Sequence, residues 1–115
     1  MTTAVTTSDP SAVGPTPLLF VAVLTYLRPL EDMDEAGPDH VAWLRRGYDA
    51  GRLLASGRRV PRTGGVIIAR GTDVAEVEAY LRTDPFQQRG LAVADIYPFE
   101  AVMLTDPMRA ALATV

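Results

Sequence analysis

The chain has 115 residues and not one cysteine. Disulfides, thiolate metal sites and cysteine nucleophiles are excluded together. Lysine is missing as well, because all 11 basic residues are arginine. That removes Schiff-base chemistry and the lysine of a phosphate-binding loop. Histidine occurs once, as His40, which leaves only a mixed carboxylate arrangement for a metal; the expectation is no metal and no cofactor. Glycine-rich phosphate cradles are also wanting, since Gly64-Gly65 links two strand candidates rather than a strand and a helix. The longest apolar run, Leu18 to Leu24, is far from the roughly 20 residues that span a bilayer. The N-terminus has neither the basic start nor the apolar core of a signal peptide. A net charge of -3 disfavours nucleic acid, which attracts basic surfaces. These absences point to a protein without nucleic-acid or membrane partners, for which the cytoplasm is the simplest setting.

With 48% hydrophobic residues, the chain has enough apolar material for one small domain. Residues 1–17 are rich in Thr, Ser, Ala, Gly and Pro and read as a flexible leader. Residues 18–104 read as the folded domain, and residues 105–115 as a tail with one weak helical turn around Met108–Leu112. Arginine without lysine, together with abundant Ala, Val and Gly, is what GC-rich coding gives and fits a bacterial source.

Six elements can be drawn inside the domain. Leu18–Leu27 is β-branched, aromatic and apolar throughout, as a buried central strand requires. Arg28–Gly37, with Pro29, four acids and Gly37, reads as a loop. Pro38–Ala50 carries Val41, Trp43, Leu44 and Tyr48 at roughly helical spacing, with Gly51 placed to cap its end. Arg52–Val60 and Gly65–Arg70 read as short strands joined by Pro61-Arg62-Thr63-Gly64. Asp73 suits the N-cap of a helix through Arg82, with Glu76 at its third position and Pro85 ending it. A last strand lies within Ala92–Leu104, where Pro98 suggests an edge or a bulge.

This order, β-α-β-β-α-β, is the ferredoxin-like split plan: a four-stranded antiparallel sheet with two helices on one face. Both faces of the first strand are apolar, with Leu19, Val21 and Val23 opposite Phe20, Ala22 and Leu24. An apolar second face in a single sheet predicts packing against a second copy, hence a homodimer.

Within this frame His40-Val41-Ala42-Trp43-Leu44 is followed by Tyr48-Asp49-Ala50-Gly51-Arg52 and then Leu53-Leu54-Ala55-Ser56-Gly57. Thr83-Asp84-Pro85-Phe86, Gly90-Leu91 and Ile96-Tyr97-Pro98-Phe99 complete the series. In order and spacing these segments resemble the YCII-related family over about Leu18 to Val102. The resemblance implies a dimeric α+β barrel of two ferredoxin-like units and a pocket between sheet and helices. It also implies a histidine and the acid of the D-P-F motif facing each other, here His40 and Asp84, with the S-G turn on Ser56 and Gly57. One branch of the family is linked to dehydrochlorination of a chlorinated muconate-type acid, a lyase step.

His40 placed in the first turn of its helix would be kept neutral by the helix dipole, the form a general base needs. Asp84, forced into extended backbone by Pro85, either caps a turn or orients His40 and stabilises its imidazolium. Ser56 lacks the setting of a nucleophile and suits hydrogen bonding to a substrate better. Between Arg45 and Arg70 seven arginines stand against one acid, Asp49, and Arg58 or Arg59 beside the S-G turn suits a carboxylate clamp. Tyr26, ending the first strand, offers a hydroxyl to the same place. The expected function is a cofactor-free lyase or isomerase that moves a proton on a small anionic or enolisable substrate. A binding module using the same pocket without turnover is the alternative, and a pure interaction subunit would have no ligand-sized pocket near His40.

Overall fold

The computed structural model describes residues 16–113. All but the end of the expected leader, and the last two residues of the tail, lie outside the described residues. Eight elements follow one another: β1 (Leu18–Tyr26), α1 (Leu30–Asp49), β2 (Leu53–Arg58), β3 (Gly64–Arg70), α2 (Val74–Leu81), α3 (Pro85–Gln88), β4 (Ala92–Glu100) and α4 (Asp106–Ala113). The strands form one antiparallel sheet in the order β2-β3-β1-β4, the ferredoxin-like arrangement. The most apolar strand is thus interior, and Pro98, which has no N–H to give a ladder, sits on edge strand β4.

Strand alternation divides the sheet's two faces. Phe20, Ala22 and Leu24 of β1 align with Ala69 and Ile67 of β3 and with Ile96 and Ala94 of β4. This row packs under the helices, where Met33, Ala36 and Trp43 of α1 join Val77, Leu81 and Phe86 in one buried cluster. Val21, Val23, Val93, Tyr97 and Phe99 face the other way. On that side Leu112 of α4 packs with Leu19 and Ala101 at one end of the sheet. Where a tail with one weak turn was expected, residues 106–113 therefore form two turns of docked helix, begun by the Thr105 hydroxyl accepting the Met108 N–H at 3.3 Å.

The segment expected as a loop, Arg28–Gly37, is helical from Leu30 onward. Met33, Ala36, Trp43 and Gly47 fall at spacings of three, seven and four, so one buried stripe runs across Pro38 without a break. Proline inside a helix loses one hydrogen bond, here to the Asp34 carbonyl, and the burial of Met33 and Ala36 outweighs it. Glu31 and Asp32 in the first turn complement the helix dipole. The far end closes as a Schellman motif. Gly51, at φ 74°, adopts the left-handed conformation, and the Gly51 and Arg52 N–H groups donate to the Tyr48 and Gly47 carbonyls at 3.0 and 2.9 Å.

The second helical region also differs from its expected form. Asp73 caps α2 as the sequence suggests, accepting the Glu76 N–H at 2.8 Å. The helix stops at Leu81, however, and Pro85 ends nothing: it occupies the first turn of α3, where a missing N–H costs nothing. No helix among the described residues is long and apolar enough to cross a membrane.

Candidate active site

A cavity of about 720 Å³ opens between α1 and the β2–β3 hairpin on the helix-covered face of the sheet. It exists because small residues face each other there. Ser56 of β2 and Gly65 of β3, on the strand face turned to the helices, put little under α1, and Gly57 adds only backbone to the wall. The size is that of an ordinary small-molecule site.

His40 forms part of the wall. Its Nδ1 lies 2.8 Å from Oδ1 of Asp84, a residue 44 positions later in the chain. Asp84 is wholly buried, and the His40 side chain is 16% exposed. The same Oδ1 accepts the Phe86 N–H at 3.0 Å, so Asp84 is at once the N-cap of α3 and the partner of the imidazole. An ionised carboxylate only accepts hydrogen bonds, so with Asp84 in that form Nδ1–H is the donor and Nε2 is the ring nitrogen that Asp84 does not engage. The ring is further fixed by stacking on Phe86, with centroids 4.0 Å apart and planes 9° from parallel, and Trp43 lies nearly parallel to it at 6.3 Å.

A second bond runs parallel to the first. Trp43 Nε1 donates to Thr83 Oγ1 at 2.8 Å, and Thr83 donates on to the Tyr80 carbonyl at 2.6 Å. Successive residues, Thr83 and Asp84, are thereby tied to side chains one turn apart on α1. Trp43 also stacks on Tyr80, whose ring carries Arg52 at 4.1 Å. Burial pushes the Tyr80 phenol above its ordinary pKa.

The structure relocates one premise about His40. With α1 beginning at Leu30, His40 is mid-helix rather than in the first turn, and the field of a helix end has faded there. The ring meets the Asp84 carboxyl rather than a helix end.

Of the remaining residues singled out in the sequence, Tyr26, Ser56, Gly57 and Arg58 line the cavity. Ser56 shares a 2.7 Å hydrogen bond with the Tyr48 hydroxyl. Arg59 does not line it. Alternation along the hairpin turns its side chain to the opposite face, where it donates to Thr25 Oγ1 at 3.1 Å.

Two wall residues escaped the sequence reading. Arg62 donates through Nη2 to Asp34 Oδ1 at 2.6 Å, joining the hairpin turn to α1 across the cavity. This bond holds the Asp34 carboxyl below its usual pKa and raises that of Arg62. Asp34 lay in the supposed loop; the signal that would have found it is its position three, four and seven residues before Gly37, Pro38 and Val41, on the cavity face of a helix that continues through Pro38. Among the described residues no three His, Asp or Glu side chains gather as a metal would require.

Fold and site together define a ferredoxin-like α+β domain with a small-molecule cavity walled by a carboxylate-bound histidine. The chain belongs to the YCII-related family: the family's sequence model matches residues 19–100. Among solved structures it is similar to 5-chloro-2-hydroxyhydroquinone dehydrochlorinase (TftG) from Burkholderia phenoliruptrix AC1100, in complex with 2,5-dihydroxybenzoquinone. That likeness has a TM-score of 0.61 at 20% identity, covering 71% of this chain and 93% of the dehydrochlorinase. No curated protein matches the chain.

Proposed function

We propose that the protein is a cofactor-free enzyme of lyase or isomerase type in which His40, oriented by Asp84, moves a proton on a small anionic or enolisable substrate. The observation that carries this reading is the 2.8 Å bond between Nδ1 of a cavity-wall histidine and a fully buried carboxylate. Such an arrangement fixes the tautomer whose free Nε2 is a base, and stabilises the imidazolium formed when that base takes a proton. The dehydrochlorinase activity of the similar structure agrees with an elimination.

In an elimination, Nε2 removes a proton from carbon, the C–H electron pair becomes a C=C bond, and the leaving group departs with its own pair. In an isomerisation the same proton returns to another carbon of the enolate. Arginine at the wall, Arg58 by position, would meet the negative charge that builds on oxygen. Ser56 and Tyr26 would hold the substrate by their hydroxyls.

The two-copy assembly is part of the proposal. Tyr97 and Phe99, 58% and 44% exposed, stand with Val93, Val21 and Val23 on the sheet face away from the helices, an apolar surface that a second copy would cover.

The test is solvent deuterium uptake into a panel of enolisable acids and halogenated ring compounds. Exchange or elimination should fall by about 10²–10⁴-fold in His40→Ala while ligand binding persists. Turnover that survives the substitution contradicts the mechanism. Ligands that bind beside His40 and never react would make the protein a binding module. The cavity itself argues against a pure interaction subunit.

A further inference from the structure

Arg62 is held in an incomplete way. Its Nη2 bonds one oxygen of Asp34, while its Nε is buried without any hydrogen-bond partner. Nε–H and one Nη–H of an arginine lie along the same edge, and that edge grips a carboxylate with two parallel hydrogen bonds. Asp34 therefore takes one prong of a two-pronged edge and leaves Nε without an acceptor. Its own side chain is 59% exposed, so it can leave for solvent cheaply. The Tyr26 hydroxyl borders the same guanidinium. Nearby, Leu24, Met33 and Ile67 make the cavity apolar, and Arg45, Arg58 and Arg62 outnumber Asp34 on its wall.

We propose that Arg62 is the residue of the cavity that binds a ligand carboxylate, distinct from Arg58, which faces the charge that builds during reaction. A ligand carboxylate takes Nε and Nη2 side-on and displaces Asp34, which occupies the ligand's place while the cavity is empty. The ligand class is a compact apolar body bearing one carboxylate, lodged between Arg62 and His40. Asp34 is then a built-in competitor that sets how tightly such acids bind. This rests on the cavity being the substrate site, as proposed above.

Benzoate and its neutral analogue benzamide are the probes, followed by the NMR signals of the His40 ring and the Met33 methyl. Benzoate should bind about tenfold or more tightly than benzamide, the advantage of a charge-assisted pair. Arg62→Gln should erase that preference and leave benzamide binding as it was, which also shows the cavity intact. Asp34→Asn should tighten benzoate several-fold and leave benzamide unchanged, whereas a residue serving only to strap the hairpin to α1 would give no gain. The proposal is overturned if the preference survives Arg62→Gln, if it vanishes with Arg58→Gln instead, or if Asp34→Asn weakens benzoate. Equal binding of the two probes beside His40 overturns it while sparing the cavity as a site. Failure of both to move either signal removes the cavity reading too.

Discussion

One oxygen atom, Oδ1 of Asp84, serves both the backbone and the imidazole. Asp84→Ala leaves the Phe86 N–H and His40 Nδ1 without their acceptor. We expect a stability loss of about 1–3 kcal/mol in urea unfolding, the cost of orphaned buried donors. Nitrogen–proton correlation spectra of the one histidine should show the Nδ1–H tautomer in the native protein and a shift toward Nε2–H in the variant; an unchanged tautomer would deny Asp84 its orienting role. Gly47 is a second constrained position. A Cβ there would lie 2.4 Å from the Tyr80 hydroxyl and 2.7 Å from Leu53 Cδ1. Alanine in place of glycine gains helix propensity worth up to about 1 kcal/mol, yet overpacking costs about 1–3 kcal/mol, so Gly47→Ala should lower the melting temperature. For Asp34 the sign with pH is fixed by its partner. Arg62 holds the carboxyl below its usual pKa, so the bridge is complete at neutral pH and is lost as pH falls through that lowered titration. A carboxyl-carbon titration should place Asp34 below an ordinary aspartate, and Arg62→Gln should return it to the ordinary range.

At the level of elements, the strands were legible because their signal is dense. Leu18–Tyr26 is apolar at every position but Thr25, and only an interior strand accommodates that. The Asp73 cap was equally plain, and Asp73→Ala should cost about 1 kcal/mol of stability through the lost Glu76 N–H bond. The start of α1 was hidden. Gly37-Pro38 and four nearby acids look like a break, and local propensity outvoted a stripe that begins at Met33; tertiary burial decides the matter, and burial is not written in any local window. The same limit applies to the site. His40 and Asp84 became visible as a pair through family resemblance, and Pro85 announced the extended backbone that aims Asp84. The pairing of Arg62 with Asp34 depends on how the hairpin closes over α1, a relation across 28 residues that no motif carries.

Among the described residues the molecule is asymmetric: one sheet face is roofed by α1, α2 and α3, the other is mostly bare. If two copies pair through the bare face, replacing Tyr97 and Phe99 together by glutamate should give a monomer by light scattering, with the His40–Asp84 bond undisturbed because it lies on the opposite side. An unchanged mass would place the assembly elsewhere. Helix α4 adds a further consequence. Leu112 shelters Leu19 and Ala101, which otherwise would extend the apolar surface to the end of the central strand. Arg70 Nη2, donating to the Leu112 carbonyl at 3.0 Å, pins that shelter down. The last eight described residues thus ration the stickiness of the sheet: a chain cut before Asp106 would uncover Leu19 and Ala101 and should precipitate more readily than the full chain.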